Sequence, residues 1–265
     1  MTDTMPEAPS GAVADKYVTN FRDNGFTHIP NVLTAAEVAR FRNAALDTIE
    51  REGVAAGMGM GVGRTGIVTT AQAYRKPGIL RELARHPRVG AIAEQLSGIS
   101  LRVFNGDAQI KPPGDETDTI WHDDLTFAPL RGRILLNAWI ALVDVPVERG
   151  CMTFVPGSHR RPDPYRVPLS AARENPNSFL FTGWPQLSWS PRLTVPVRAG
   201  DATFHQWRVG HTAGPNRSAE ARIAFITTYT DAETTYDPQP GLELPGLTAG
   251  ARLSDDDYPR VAEFG

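Results

Sequence analysis

Residues 200–230 read GDATFHQWRVGHTAGPNRSAEARIAFITTYT. Gly200–Trp207 and Ala221–Thr230 carry the β-branched and aromatic residues of strands, and Gly214-Pro215-Asn216 between them marks a turn. Leu101–Lys111, Arg133–Val145, Cys151–Val155 and Leu193–Val197 have the same character. Before Ser100 the pattern is helical. Helices first and then many strands, without βαβ alternation, predict a mostly β fold: an antiparallel sandwich or barrel flanked by helices.

The helical part has clear punctuation. A helix is predicted from Ala12 to Asn24, with Tyr17 and Phe21 on one face and Gly25 as its stop. Phe26–Pro30 reads as a short strand. Thr34 and Glu37 form a capping box, Leu33 and Val38 fit a hydrophobic staple, and Val38, Phe41, Ala45 and Ile49 then share a helix face. Between Pro77 and Leu96, Pro87 separates two helical pieces and Gly98 ends the second. Gly53–Gly66 is glycine-rich but lacks the phosphate-loop pattern, and reads either as a flexible loop near an active site that orders when ligands bind or as a plain surface linker. The long, Pro-rich and aromatic connection from Pro156 to Arg192 reads as packed over the fold, with its Ser158–Arg192 part a second such lid. One domain is predicted over residues 12–265, with a disordered N-terminus at 1–11, a barrel core at 100–230 and a wrapping tail at 231–265.

Composition narrows the function classes. With 265 residues, 41% hydrophobic and 22% charged, the chain is ordinary for a globular protein. A net charge of −3 leaves no footprint for nucleic acid, and no apolar run is long enough to span a bilayer. Cys151 has no second cysteine to pair with, and the polar, acidic start is unlike a signal peptide. These features predict a cytoplasmic location and a small-molecule substrate as partner. They leave the oligomeric state open.

Chemistry concentrates in Trp121-His122-Asp123-Asp124 and in His211. On a strand, His122 and Asp124 would face the same way, about 7 Å apart. His211 would complete two histidines and one carboxylate on one side of a metal, a set that suits non-haem Fe(II) oxygenases. His205 competes with His211, because side-chain parity does not separate positions six apart. The Gly-Pro-Asn turn and the spacing to Arg222 favour His211. Asp123 is expected to face away from the metal.

The ordered series of Gln109 and Lys111, His122-x-Asp124, Asn137 and Trp139, Gly150-Cys-Met-Thr-Phe-Val-Pro-Gly-Ser-His159, Gly200-Asp-Ala-Thr-Phe-His205, His211-Thr-Ala-Gly-Pro-Asn216 and Arg222 resembles the phytanoyl-CoA dioxygenase family. The resemblance runs from about Tyr17 to Tyr229. It implies a double-stranded β-helix, a jelly-roll barrel with helices outside. It implies Fe(II), 2-oxoglutarate and O2 as cofactors, with His122, Asp124 and His211 as iron ligands and Arg222 on the distal carboxylate of 2-oxoglutarate. Lys111, Gln109 and Trp139 lie where family members line the cosubstrate pocket; Lys111, just before Pro112-Pro113, could equally reach solvent. The family often has Ser two residues after the second histidine. Here that position is Ala213, and Thr212, one residue off, is the candidate hydroxyl for the cosubstrate. His159 is read as part of a structural turn.

The reaction so implied is hydroxylation of a substrate C–H bond, with succinate and carbon dioxide released. Related halogenases carry a small residue in place of the metal carboxylate, and here Asp124 occupies that place. Desaturation, epimerisation or ring closure would use the same residues. Two further readings stand beside these: a zinc hydrolase, which would have no use for Arg222, and a non-catalytic binding barrel.

Overall fold

The computed structural model describes residues 11–52, 67–70, 72–161, 166–175 and 179–263. The expected Gly53–Gly66 lid lies outside the described residues, as does nearly all of the N-terminal segment expected to be disordered.

Four helices come first: α1 (Asp15–Asn24), α2 (Ala35–Glu52), α3 (Ile79–Ala84) and α4 (Pro87–Ser97), with strands β1 (Phe26–Ile29) and β2 (Val68–Thr69) between them. α1 starts at Asp15 and not at Ala12, because Ala14 is extended (φ −61°, ψ 140°) and is its N-cap. The capping box at α2 is complete. Thr34 N–H and Oγ1 donate to Glu37 Oε2 at 2.7 and 2.8 Å, and Glu37 N–H donates back to Thr34 Oγ1 at 3.3 Å. Gly25 and Gly98 end α1 and α4 in the left-handed conformation. At Gly25 a Cβ would also meet the His159 ring at 2.5 Å, so glycine is required there twice over.

The strands follow: β3 (Leu101–Lys111), β4 (Thr119–His122), β5 (Leu130–Arg131), β6 (Leu135–Ala141), β7 (Met152–Phe154), β8 (Leu193–Val195), β9 (Ala202–Gln206), β10 (His211–Ala213), β11 (Arg222–Asp231) and β12 (Thr235–Tyr236). Every pairing is antiparallel. One sheet runs β1-β9-β6-β11-β3-β2 and the other β4-β10-β7-β8; β12 pairs with β5. This is the double-stranded β-helix.

Strand alternation sorts the large sheet into two faces. Leu136, Ala138 and Ile140 of β6, Phe204 of β9, and Ile223 and Phe225 of β11 join α1–α4 in one buried core. The opposite face, with Trp139, Ala141 and Ala224, packs against Met152, Phe154 and Ala213 of the small sheet and forms the barrel interior. Burying a Phe204- or Phe225-sized side chain stabilises by about 1.5–3 kcal/mol each, so the helices are held mainly by the outward-facing residues. That leaves the inward-facing set free for chemistry.

The connection between β7 and β8 carries α5 (Leu169–Glu174), α6 (Phe179–Gly183) and short 3-10 turns at Ser158–Arg160 and Pro185–Trp189. Phe179, Leu180, Trp184 and Leu187 bury themselves with Ile120 and Val155, and Trp121 and Phe127 flank them. This segment therefore covers the strand that ends at His122. At the C-terminal end, Leu253 and Tyr258 pack with Phe104, Leu130, Leu135 and Trp207, and buried Arg102 donates to the carbonyls of Ala232, Ser254 and Tyr258.

Candidate active site

His122 is the last residue of β4 and His211 the first of β10, and the two are direct partners across the strand pair. Asp124 is not on the strand with His122, as the His-x-Asp spacing suggested; it opens a 3-10 turn, Asp124–Phe127. The cause is Asp123, whose Oδ1 accepts from Thr126 N–H and Oγ1 at 3.1 and 2.8 Å and so caps the turn. The other oxygen of Asp123 pairs with Arg161 at 2.5 Å, and Arg161 stacks on Trp184 with its guanidinium carbon 3.9 Å from the ring centre. Asp123 thus faces away from Asp124 and ties the turn to the segment covering it.

One nitrogen or oxygen from each of His122, Asp124 and His211 lies within 4.8 Å of the others, the one group of potential metal ligands among the described residues. Both rings are anchored by their far nitrogens. His122 Nδ1 bonds the Ile120 carbonyl at 2.7 Å and His211 Nδ1 the Val209 carbonyl at 3.0 Å. A carbonyl only accepts, so Nδ1 carries the hydrogen and Nε2 is the nitrogen turned toward the other ligands. Burial opposes charge on His122, yet the hydrogen bond and charge of Asp124 raise its pKa, so a cation binding there displaces a proton from its Nε2. Burial, with the charges of His122 and His205 beside it, pushes the His211 pKa down to about 3. Burial opposes the charge on Asp124, yet the surrounding histidines, His211 foremost, hold its carboxyl well below the usual range. Neutral imidazole and ionised carboxylate are the forms that ligate a cation.

His205 is also buried here. Its Nε2 stands 3.4 Å from Asp124 Oδ2 and 3.3 Å from Asn137 Nδ2. Asn137 N–H points at that nitrogen and engages its lone pair, which separates His205 from His211 where parity could not.

Arg222, the first residue of β11, is 1% exposed. Its Nη1 donates to the Gly150 carbonyl at 2.8 Å, its Nε has no hydrogen-bond partner, and its guanidinium carbon lies 5.7 Å above the Trp139 ring. Burial without an acidic neighbour in contact pushes its pKa down to about 10. Gly150 is fixed at φ 78°, and a Cβ there would reach the Gly214 carbonyl at 2.4 Å, so glycine brings the arginine's acceptor close to the end of β10. A buried cation with an unused N–H fits a dianionic ligand.

Lys111 pairs directly with Arg222 and Gln109 with Ala224, so all four share the inward face. Lys111 does not reach solvent. It is fully buried, and its Nζ donates to the carbonyls of Thr117 and Gly214. Burial and then the charge of Arg222 lower its pKa to about 8. Trp139 lies inward beneath Arg222. Thr212 does not join them: it falls on the opposite face of β10 from His211 and Ala213, and its hydroxyl donates to the Thr119 carbonyl. Ala213 occupies the inward position and offers no hydroxyl. His159 is structural, its Nε2 bonded to the Arg22 carbonyl at 3.0 Å.

Asn137 and Trp207 gained no role from sequence. The available signal was an asparagine in the middle of the otherwise apolar run LLNAWIA, every residue of which is buried.

Known proteins are similar to this chain in sequence and in fold. The family model "Phytanoyl-CoA dioxygenase (PhyH)" matches residues 21–224. Phytanoyl-CoA dioxygenase domain-containing protein 1 of Mus musculus is 32% identical over 178 residues, 63% of this chain and 60% of its own length. Peroxisomal phytanoyl-CoA dioxygenase of Rattus norvegicus is 24% identical over 233 residues, covering 82% of this chain and 68% of the relative. Among solved structures, the non-haem α-ketoglutarate dependent carbocyclase SnoK from nogalamycin biosynthesis is 39% identical with a TM-score of 0.82, over 94% of this chain and 96% of its own. The epimerase SnoN, in complex with Fe3+, α-ketoglutarate and nogalamycin RO, is 38% identical with a TM-score of 0.81, over 93% and 98%. With the family model matched over most of its length, the chain belongs to the phytanoyl-CoA dioxygenase family.

Proposed function

We propose that the protein is an Fe(II)- and 2-oxoglutarate-dependent oxygenase acting on a C–H bond of a small-molecule natural product, with His122, Asp124 and His211 as metal ligands. The observation that carries this reading is the convergence of three ligand atoms of the right chemistry in a barrel that also buries an arginine with no acidic partner in contact. Two neutral imidazoles and a carboxylate suit Fe(II) and leave positions for a chelating keto acid and dioxygen. When bound, the metal and its cosubstrates supply the oxidation that breaks the C–H bond, with succinate and carbon dioxide as by-products.

The chain's own contribution is placement and exclusion of water. Arg222 would grip the distal carboxylate of 2-oxoglutarate with its free N–H, Trp139 would pack under that contact, and Lys111 would add positive potential from the same face. Gln109 would line the same pocket. Phe154, Met152 and Ala224 close the barrel around it with apolar surface, which keeps competing water away from the reacting centre. A zinc hydrolase would leave Arg222 without a purpose. We read residues 12–265 as a single catalytic domain. No helix among the described residues is long and apolar enough to cross a membrane, and the lone buried Cys151 suits a reducing cytoplasm.

Hydroxylation is the primary reading, and the Asp124 carboxylate sets it against halogenation, whose enzymes carry a small residue there. Epimerisation or ring closure is the second, favoured by the likeness to SnoN and SnoK. Turnover of candidate polycyclic or glycosylated natural products with Fe(II) and 2-oxoglutarate separates the two. Hydroxylation adds about 16 mass units, ring closure removes about two, and epimerisation changes neither. Absence of succinate formation with any substrate, and loss of nothing on chelation, would sink the oxygenase reading itself.

A further inference from the structure

A carboxamide buried in mid-strand must satisfy both its ends. Asn137 Oδ1 accepts from Trp207 Nε1 at 3.0 Å and from Thr228 Oγ1 at 2.8 Å. An indole N–H only donates, so the oxygen must be the atom facing Trp207. The orientation of an amide is ordinarily a matter of assignment; here chemistry decides it. The NH2 therefore points the other way, where Asp124 Oδ2 lies at 2.8 Å and His205 Nε2 at 3.3 Å.

Sheet register builds this cluster. Asn137 is the direct partner of Thr228 on β11 and of His205 on β9, so all three face inward side by side. Trp207 follows β9, and its carbonyl accepts from Leu125 N–H at 3.1 Å. The turn carrying Asp124 is therefore held to Trp207 by its backbone, and through Asn137 by its side chain. Oδ1 lies on the His122 side, 3.5 Å from its Nε2, and Oδ2, which takes the amide, lies 3.8 Å from His211 Nε2.

We propose that Asn137, its amide locked by Trp207 and Thr228, is the positioning residue that fixes the orientation of the Asp124 carboxylate toward the cation. This rests on the metal reading above. Groups that orient metal ligands typically change metal affinity by about 10–100-fold when removed. His205 lies against the same amide and is not itself a ligand, because its Nε2 lone pair accepts from Asn137.

The test uses the full chain as wild type, Asn137→Leu and Trp207→Phe, each titrated anaerobically with Fe(II), then with 2-oxoglutarate while the visible absorption of the iron–keto acid complex is followed. Melting of the metal-free proteins is recorded in parallel. Titrations run well below every melting point, where a packing role alone would leave affinity unchanged. Asn137→Leu is expected to weaken Fe(II) binding by about 10–100-fold, and Trp207→Phe, which frees the amide to turn, by a smaller factor. Folded Asn137→Leu with wild-type affinity overturns the proposal. Should Asn137→Leu fail to fold, Trp207→Phe decides: weakened binding supports the clamp, and wild-type binding overturns it. Wild-type protein that binds no Fe(II) would instead overturn the underlying metal reading.

Discussion

Lys111 and Arg222 face one another directly across β3 and β11, both fully buried, and neither forms an ion pair with a carboxylate among the described residues. Two cations in one apolar barrel are costly until an anion arrives. Arg222→Ala is expected to raise the apparent KM for 2-oxoglutarate by about 30-fold or more, since truncating a buried charge-assisted contact costs about 2–5 kcal/mol. Arg222→Lys should rescue it only in part, lacking the planar fork. Initial rates of succinate formation against cosubstrate concentration check both, and an unchanged KM in Arg222→Ala would remove it from the site.

His211 and His205 make opposite predictions. The His211 Nε2 faces His122 and Asp124, whereas the His205 Nε2 is held by Asn137 and Asp124. Purified wild type should carry one Fe(II) per chain after anaerobic loading, His211→Ala should lose it, and His205→Ala should bind more weakly without losing the site. Metal analysis after desalting reads the difference. Full loss in His205→Ala with retention in His211→Ala would exchange their roles.

Asp107 gives a pH signature away from the metal. Burial pushes its carboxyl up to about 6, against hydrogen bonds from Ala73 N–H, Thr70 and Asn105. The folded state then holds this proton more tightly than the unfolded state, so the group's contribution to stability falls as pH rises from about 4 to 6. At about 1.4 kcal/mol per pKa unit the effect is bounded near roughly 3 kcal/mol. His211, depressed to about 3, acts in the opposite sense: metal-free protein loses stability as pH falls through 6.5. Comparing wild type with Asp107→Asn cancels the histidine. The variant's melting temperature should gain on wild type between pH 4 and 7, and a constant difference would refute the assignment. Asn105, whose Oδ1 has no partner, can turn to accept from the new amide.

The capping box at Thr34 should be measurable by itself. Thr34→Ala removes the hydroxyl that exchanges hydrogen bonds with Glu37. The expected loss is about 1 kcal/mol, or about 2–4 °C in Tm for a chain of this size. Activity per folded molecule should not change, because α2 packs on the outer face of the large sheet.

Much of this was legible in the chain because it is local. Gly25 and Gly98 stop their helices through backbone conformation, Thr34 and Glu37 are three residues apart, and the long strands announce themselves by composition. The order of His122, Asp124, His211 and Arg222 along the chain also pointed to the family. Register was not legible. That Arg222 stands against Lys111, that Asn137 lies between Thr228 and His205, and that Thr212 turns away from Arg222 all follow from which strands pair and in what phase, which long-range packing sets. The route to Asp124 departs from strand alternation for a local reason: an N-capping Asp123 overrides the phase that two-residue spacing implies. Residue types and their order thus determined which atoms could serve a metal and an anion. Only the closure of two sheets, each burying its alternate side chains, decided which of those atoms meet.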